Sequence, residues 1–537
     1  MSVLSQPQSI LKNWVLPVLT ITLFFCLRFL CDRNMGAVNE LHHLPLARHF
    51  VDPSWLAQDI YYSEPPGYRL LFQLLFGPLT VTIGFLATSI LGRILGYLAI
   101  AVGLWTLARS LGLRLLTLLV AIGLFFYVRG PQGVMAGEWL IGGIEPKIFA
   151  YGAIFMALHA MLFGRYLWLT AWLGLAASFH ALVGGWTSIA VLVWLGWRRF
   201  DVLSDGRRWL AAIPIYGLTS IFALIAVLTQ LLSPVEDSTI SPAYIYSFLR
   251  NPHHVNPMAW PAEEWHYLLA TLVIFGGSAF YVLRSAVQKT PQGLPIATRR
   301  ADFMCFVLCM LVPFGAGILA APFDQNGQFL QYYPFRVGDI MLPLGTAFFL
   351  ALALEKLVFR HRKGAIAIVL IILFGFGLEA TRCYRGAIAL QQFPSQEQGV
   401  NPPLQAAATW LKQHVPEGQP VVSPPVDLTA LPWLSDHPSI AKFRFVPSAS
   451  SADVQAWFER ITDLGGGIDL LSYTDRRTDA RRKIRSALTD AYNALDTEQM
   501  SRLMQKYQSD YAVTNVEQTL ELPLLYENAR YRIYGVG

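Results

Sequence analysis

The sequence predicts an α-helical polytopic membrane protein that ends in a small α/β domain. Its 537 residues are 54% hydrophobic and 14% charged, whereas about a quarter of the residues in a soluble globular chain are charged. The mean hydropathy is +0.42, and the apolar residues fall into repeated runs of nearly bilayer-spanning length. Charged residues are concentrated in short connectors and in the last third of the chain.

Eleven apolar runs are predicted to cross the membrane. The first is not followed by a small-residue cleavage site, which favours an uncleaved helix over a signal peptide. Several runs are shorter than the roughly 20 residues of a straight span, so broken or re-entrant helices are expected. The predicted spans are Trp14–Cys31, Leu91–Ala108, Leu115–Val128, Ile148–Phe163, Leu167–Leu182, Gly184–Trp197, Leu210–Leu232, Tyr267–Leu283, Ala301–Ala320, Ile340–Leu354 and Ala365–Glu379.

Lysine and arginine alternate between the two sides of these spans. With the N-terminus in the cytoplasm, the inner connectors carry most of the basic residues, although the outer loops are longer. This distribution predicts a multi-pass protein of the plasma (inner) membrane with its C-terminus periplasmic or extracellular. The predicted domains are a transmembrane part, 1–381, with a large first outer loop at 32–90, and a soluble outer domain, 382–537.

The C-terminal part has a pattern unlike the rest of the chain. Helical patterns at Leu404–His414 and Asp453–Ile461 accompany short β-like runs at Pro420–Ser423, Tyr511–Thr514 and Tyr531–Val536. Proline and glycine turns separate these segments, so a small α/β domain is predicted.

This domain also contains a basic cluster with two possible interpretations. Six basic residues lie within ten positions. Such a run can contact anionic lipid headgroups or a phosphate, or it can form a solvated helix face. The cluster consists of Arg476, Arg477, Arg481, Arg482, Lys483 and Arg485.

Several function classes are disfavoured by the sequence. It contains no Walker loop, dinucleotide fingerprint, paired CxxC or Ser/His/Asp motif, so transport driven by ATP within this chain is disfavoured. The net charge of +6 is modest, and no basic–aromatic pattern indicates nucleic-acid binding.

The first outer loop carries the most specific motif. Asn39-Glu40 is followed by a helical pattern over Leu44–Phe50, the turn Glu64-Pro65-Pro66 and a half-apolar stretch, Gly67–Phe76. This arrangement resembles the GT-C glycosyltransferases, in particular the protein O-mannosyltransferases and lipid A aminoarabinose transferases, which have an Asp-Glu pair, an interfacial helix and a lysine-containing turn here. Asn39 replaces the expected aspartate, and Pro65 replaces the lysine.

The resemblance implies transfer of a sugar from a polyprenyl-phosphate carrier to an acceptor at the outer face of the membrane. Such a reaction needs a carboxylate to orient or accept the acceptor's proton. Glu40, just beyond the first span, is the first candidate, and Asp59 and Glu64 are the alternatives. The structural interpretation is that these are ordinary loop charges, with Glu40 capping an interfacial helix.

The reaction also needs a cation beside the leaving phosphate. Lys147 lies at the outer end of one span and Arg336 at the mouth of another. Arg336 is the stronger candidate because its planar fork matches phosphate geometry, although an arginine here can also be an interface anchor. We therefore expect Glu40 and Arg336 to line one cavity.

The histidines give a weaker signal. His43 belongs to one of two adjacent histidine pairs, and neighbouring side chains on a helix diverge, so a pair alone makes no chelating face. His180 lies in an apolar run beside glycines, where it has either a functional or a helix-packing role. No cofactor is predicted, and the need for a divalent metal stays open.

Two other functions stay open. A membrane transporter or lipid flippase would use the glycine breaks near the midplane, and a catalytically inactive GT-C-like assembly protein would be consistent with Asn39. The chain shows no internal repeat and ends in a large outer domain, and both features favour the enzyme.

Overall fold

The computed structural model describes residues 11–30, 39–64, 67–128, 132–232, 240–287, 294–358, 361–392, 402–447 and 450–536. Cys31, the start of the predicted first loop and Pro65-Pro66 lie outside these ranges.

The N-terminal three quarters of the chain is helical. Its helices of ten or more residues are labelled in chain order, and shorter helical turns are given by their residue ranges. The labelled helices are α1 (Leu11–Leu30), α2 (Glu40–Val51), α3 (Leu70–Thr82), α4 (Gly84–Ser110), α5 (Leu115–Tyr127), α6 (Pro146–Leu162), α7 (Tyr166–Phe179), α8 (Ala181–Arg198), α9 (Gly206–Thr219), α10 (Ile221–Leu232), α11 (Ala262–Val287), α12 (Leu294–Ala320), α13 (Arg336–Leu357) and α14 (Arg362–Gln392). Shorter turns are Gly67–Arg69, Phe200–Leu203, Pro242–Tyr244, Ile245–Arg250, Pro252–Val255, Pro257–Ala259 and Leu330–Tyr332.

The chain is a multi-pass membrane protein, but the predicted count of eleven spans is not confirmed. Among the described residues, seven helices are long and apolar enough to cross a membrane, and α9 with α10, bent by 74°, can form an eighth span. Helices α5, α6 and α7 have 13, 17 and 14 residues. At 1.5 Å per residue, 13 residues extend only about 20 Å, which is less than the roughly 30 Å of a hydrocarbon core.

The basic connectors gather at one end of the helix bundle. Arg299 and Arg300 donate to the carbonyl groups of Ser110 and Leu111, at the end of α4, at 2.8 Å each. At the same end, Arg114 lies 3.8 Å from Glu355 near the end of α13. Helix α13 has 22 residues and rises about 33 Å, so its first residue lies at the opposite end of the bundle.

The first outer loop contains the two short helices that its pattern predicts. Helix α2 includes the predicted Leu44–Phe50 but begins four residues earlier, and α3 begins three residues after Gly67. Both helices are separate from the long candidate spans. They pack closely because Gly77 of α3 meets the backbone of α2: a Cβ at Gly77 would lie 2.5 Å from the Ala47 carbonyl oxygen. Leu41 and Leu44 of α2 share a buried core with Leu404 of the C-terminal domain.

The C-terminal domain is a four-stranded sheet with helices, as predicted. Its strands β1 (Val421–Val422), β2 (Tyr511–Asn515), β3 (Leu524–Glu527) and β4 (Tyr531–Gly535) pair in the order β1-β2-β4-β3. Strand β1 is parallel to β2, and the other pairs are antiparallel. Strands β1, β2 and β4 lie at the predicted positions, whereas β3 was not predicted because its residues are mostly exposed and lack an alternating apolar pattern. The elements are α15 (Pro402–His414), β1 (Val421–Val422), a short helix (Leu431–Ser435), α16 (Ser451–Leu464), a turn (Leu470–Tyr473), α17 (Arg481–Asn493), α18 (Thr497–Lys506), β2 (Tyr511–Asn515), β3 (Leu524–Glu527) and β4 (Tyr531–Gly535).

Asp59 ties the first outer loop to this domain. Its side chain is 2% exposed and accepts hydrogen bonds from the backbone of Tyr61 and Tyr62 and from both the backbone N–H and the hydroxyl of Ser439, all within 3.1 Å. A buried carboxylate needs such donors to offset its lost hydration. The contact therefore joins two parts of the chain that are 380 positions apart.

Replacing Asp59 with Asn should lower the stability of this junction. The amide NH₂ would face N–H donors, and one unsatisfied buried group costs about 1–3 kcal/mol. We expect a lower melting temperature in detergent and faster proteolysis between the two parts. Asp52→Asn is the control, because Asp52 accepts a side-chain hydrogen bond from Ser54 within its own turn. Equal melting of the two variants would contradict the assigned role.

Candidate functional site

A cavity of about 2360 Å³ lies between the helix bundle and the C-terminal domain. Its walls come from the first outer loop, the segment 137–147, the break before α8, the turns at 242–254, the start of α13 and the face of the C-terminal domain. It therefore opens at the end of the bundle opposite the basic connectors.

Glu138 lies between two cations in this cavity. One of its oxygens is 2.6 Å from Nε of Arg336, and the other is 3.1 Å from Nζ of Lys147. Tyr333 lies under the Arg336 guanidinium at 4.1 Å and Trp139 under the Lys147 ammonium at 4.0 Å, so each cation also contacts an aromatic ring. Arg336, Glu138 and Lys147, with Glu145, are called the central network below.

Asp339 of α13 fixes the position of Glu138. Its carboxylate accepts hydrogen bonds from the backbone N–H groups of Met135, Ala136 and Glu138 at 2.7–3.1 Å. The approach requires glycine at position 133, where a Cβ would lie 2.0 Å from the carboxylate. Because Asp339 lies one turn after Arg336, one helix positions both the cation and its partner.

Glu145 is the second carboxylate of the central network. Its Oε1 is 3.3 Å from Nζ of Lys147, and its Oε2 faces His43 at 3.6 Å and accepts from the Asn39 amide at 3.4 Å. Within the described part of the chain, the buried Oε1 of Glu145 and the Nδ1 of His43 have no hydrogen-bond partner. Each of these two atoms therefore keeps unused hydrogen-bonding capacity.

The ionisation of these groups follows from burial and charge. Burial alone would raise the pKa of Glu138, but Arg336 and Lys147 hold that pKa well below its usual range. Burial lowers the pKa of His43, although Glu145 opposes this shift, and burial lowers the pKa of His254 to about 4. At neutral pH the network thus combines an ionised Glu138 with neutral histidines.

The structure brings five of the predicted site residues together. Lys147 and Arg336 share Glu138, and Nη1 of Arg336 lies 3.1 Å from Nε2 of His180. His180 stands at the break between α7 and α8, and its side chain accepts from the Val183 backbone. Asn39, His43, Lys147, His180 and Arg336 all line the cavity.

Glu40 does not line the cavity, and the prediction that it does so together with Arg336 is wrong. Its side chain is 0% exposed and bonds Arg93 of α4 through both oxygens, at 2.6 and 2.9 Å. Ser89 and the backbone of Ile144 also donate to it. Both oxygens of Glu40 are therefore occupied by donors of the protein. The reason is that α4 begins at Gly84, seven residues before the predicted span, so Arg93 lies inside the helix and not at its end.

The two alternative carboxylates are also occupied and are absent from the cavity wall. Asp59 joins the loop to the C-terminal domain, as described above. Glu64 is buried and forms an ion pair with Arg69. Among the described residues, Glu145 has a buried carboxylate oxygen without a hydrogen bond, and Asp59 and Glu64 do not.

Sequence reasoning missed Glu138 and Glu145 as site residues. The available signal was their position: both lie in a short glycine-rich segment between two apolar runs, just before Lys147. Charged residues at such positions are costly unless they have partners or ligands.

Among the residues that the structure describes, no group of three or more His, Cys, Asp or Glu side chains is arranged to hold a metal ion. His42 instead lies 3.0 Å from the Tyr61 hydroxyl, and His254 lies 2.6 Å from the Ala136 carbonyl.

Glu40→Gln should reduce stability, because it leaves the buried Arg93 without its counter-charge. Breaking one partner of a buried ion pair costs about 3–5 kcal/mol, so the melting temperature should fall markedly. The double variant Glu40→Gln/Arg93→Gln should recover part of the loss, since no charge is then buried alone. A single variant as stable as the natural protein would contradict this structural role.

No protein-family model matches the sequence, and no curated protein matches it. One similar solved structure is ArnT from Cupriavidus metallidurans bound to undecaprenyl phosphate. The two sequences are 14% identical, the match covers 97% of this chain and 98% of that chain, and the TM-score is 0.49. The apo state of the same protein has 15% identity, the same coverage and a TM-score of 0.46. The Archaeoglobus fulgidus oligosaccharyltransferase tethered to an acceptor peptide has 13% identity, covers 95% of this chain and 70% of its own, and has a TM-score of 0.48.

Proposed function

We propose that this protein transfers a sugar from a polyprenyl-phosphate carrier to an acceptor inside the cavity. The observation that carries the proposal is the central network: Arg336, Lys147 and the carboxylate of Glu145, whose Oε1 has no hydrogen bond, all line one cavity at the end of a membrane helix bundle. The carrier class comes from the resemblance of the first outer loop to the GT-C glycosyltransferases.

Arg336 and Lys147 are the proposed binding groups for the carrier phosphate. Arg336 donates through Nε to Glu138, and its Nη1 lies 3.1 Å from Nε2 of His180. The remaining N–H donors of its fork are the proposed phosphate ligands. Lys147 adds a compact second charge. Glu138 holds the two cations in position, so little reorganisation is needed when the leaving phosphate gains charge.

Glu145 is the proposed proton acceptor in place of Glu40. The acceptor's nucleophile forms a bond to the anomeric carbon, the bond from that carbon to the phosphate oxygen breaks, and the phosphate keeps the electron pair. The nucleophile's proton passes to Oε1 of Glu145. Asn39 and His43 contact Oε2 and Lys147 lies 3.3 Å from Oε1, so these neighbours orient the carboxylate.

The reaction is proposed to take place at the outer face of the plasma membrane. The basic connectors lie at one end of the bundle and the cavity lies at the other, which supports the orientation predicted by the positive-inside rule. A bundle with this orientation places the C-terminal domain on the outer side, where a lipid-linked sugar and its acceptor can meet.

Reporter fusions test this orientation. A reporter fused after Gly537 should read as outside, whereas reporters near Gly206 and Arg362 should read as cytoplasmic, because the inner connectors hold the positive charges. A cytoplasmic signal from the C-terminal fusion would contradict the outer-face site.

Substitutions in the central network test the chemistry. Arg336→Lys should weaken binding of a polyprenyl monophosphate in nanodiscs, because a point charge replaces a planar fork. Glu145→Gln should retain carrier binding but slow sugar transfer from membrane-extracted donor by roughly 10²–10⁴-fold.

The matched controls are Arg530→Lys and Glu517→Gln, which alter residues that line the same cavity outside the central network. Both should leave binding and transfer near the natural level. Normal transfer by Glu145→Gln would exclude its role as base, and carrier binding without any transfer by the natural protein would instead favour the flippase or the inactive assembly protein.

A further inference from the structure

A second group of cations lines the cavity on the side of the C-terminal domain. It is called the arginine cluster and consists of Arg250, Arg444, Arg481, Arg482 and Arg485. Arg481 pairs with Asp479 at 2.6 Å. Within the described ranges the other four form no ion pair with a carboxylate, so the cluster carries excess positive charge.

Arg250 and Arg444 form the inner part of the cluster, and both are half-buried. Arg250 donates to the backbone carbonyl of residue 444 at 2.9 Å, so the two side chains are held beside each other. Nε of Arg444 donates to Nε2 of His42 at 3.2 Å. These partners are neutral, and neither arginine is balanced by charge.

Arg481 and Arg485 extend the cluster along the cavity face of α17. Burial and the positive charges of Arg444 and Arg481 lower the pKa of Arg250 to about 10. The pKa of Arg444 is also lowered by burial and by Arg485, although nearby tyrosines oppose this shift. Like charges held close together without a counter-ion are unfavourable unless an anion joins them.

Asn39 connects the arginine cluster to the central network. Its amide oxygen accepts from Nη2 of Arg444 at 3.4 Å, and its amide nitrogen donates to Glu145 at 3.4 Å. An aspartate here would neutralise Arg444 and lose the hydrogen bond to Glu145. The amide therefore keeps the arginine available while it places the cluster one side chain away from the carboxylate.

We propose that the arginine cluster is a second anion-binding site, which holds a phosphate group of the acceptor beside Glu145. The guanidinium groups of Arg250 and Arg444 offer forked N–H donors that match phosphate oxygens. The description of the ligand as the acceptor rests on the proposed function, whereas the existence of the site rests on the cluster itself. The acceptor class is thus a phosphorylated molecule.

The two groups of cations in the cavity are proposed to bind different substrates. Arg336 and Lys147 lie in the first turns of two bundle helices, so the carrier is proposed to bind on that side of the cavity. The arginine cluster lies on the side of the soluble domain. Glu145 lies between them because Lys147 contacts one of its oxygens and Asn39 the other. An acceptor anchored by the cluster would therefore present its nucleophile to that carboxylate.

The test measures binding of radiolabelled inorganic phosphate to the purified full chain in nanodiscs, with saturating polyprenyl monophosphate present. The monophosphate occupies the carrier site, so the remaining phosphate binding reports the second site. We expect saturable binding that weakens as salt is raised and that Arg250→Gln/Arg444→Gln weakens about ten-fold or more.

Two further variants keep the test decisive. Asn39→Asp leaves both arginines in place and should also weaken phosphate binding, because it supplies an internal carboxylate to Arg444. Lys483→Gln is the matched control, since this residue of the same basic segment is exposed and does not line the cavity. It should bind phosphate like the natural protein.

The outcomes separate this proposal from the proposed function. Arg336→Lys should weaken carrier binding and leave the second site intact, so loss of one site does not imply loss of the other. Absence of saturable phosphate binding, or equal binding by the double arginine variant, would overturn the second site. Displacement of the bound phosphate by a polyprenyl diphosphate but not by the monophosphate would assign the cluster to the donor and overturn the assignment to the acceptor.

Discussion

The contact between the Asp339 carboxylate and three backbone N–H groups determines the geometry of the cavity. Asp339 lies one turn into α13, and its hydrogen bonds to Met135, Ala136 and Glu138 hold an irregular segment against that helix. Backbone groups without regular secondary structure need partners when they are buried, and the carboxylate supplies them. Glu138 then meets Arg336 from the same helix, so the position of both charges depends on one rigid element.

The same requirement for satisfied charges separates structural carboxylates from candidate catalytic ones. Glu40 and Asp59 are as buried as the site residues, but each of their oxygens accepts hydrogen bonds from the protein. Glu145 retains a buried oxygen without such a bond. Burial therefore does not distinguish these carboxylates, whereas unused hydrogen-bonding capacity in the cavity wall favours Glu145 as the candidate.

The two cation centres differ in how their charge is balanced. In the central network two carboxylates accompany two cations, which fixes the cations without excess charge. In the arginine cluster, the inner arginines contact neutral groups. Asn39 bridges the two centres, so its departure from the aspartate of the GT-C pattern has a physical consequence: it preserves the charge of Arg444 for an anionic ligand.

Composition and apolar runs alone predicted a multi-pass helical protein with a small α/β domain, because the hydrophobic patterns that specify spans, α2, α3 and three of the strands are local. The motif in the first loop predicted the kind of enzyme, and Lys147 and Arg336 were found as candidates because charges at span ends are rare. Only the tertiary structure showed which helices are long enough to span a membrane and which carboxylates line the cavity. Glu40 meets Arg93 across 53 positions and Glu138 meets Arg336 across 198, and no local pattern records which buried charges become partners in the folded chain.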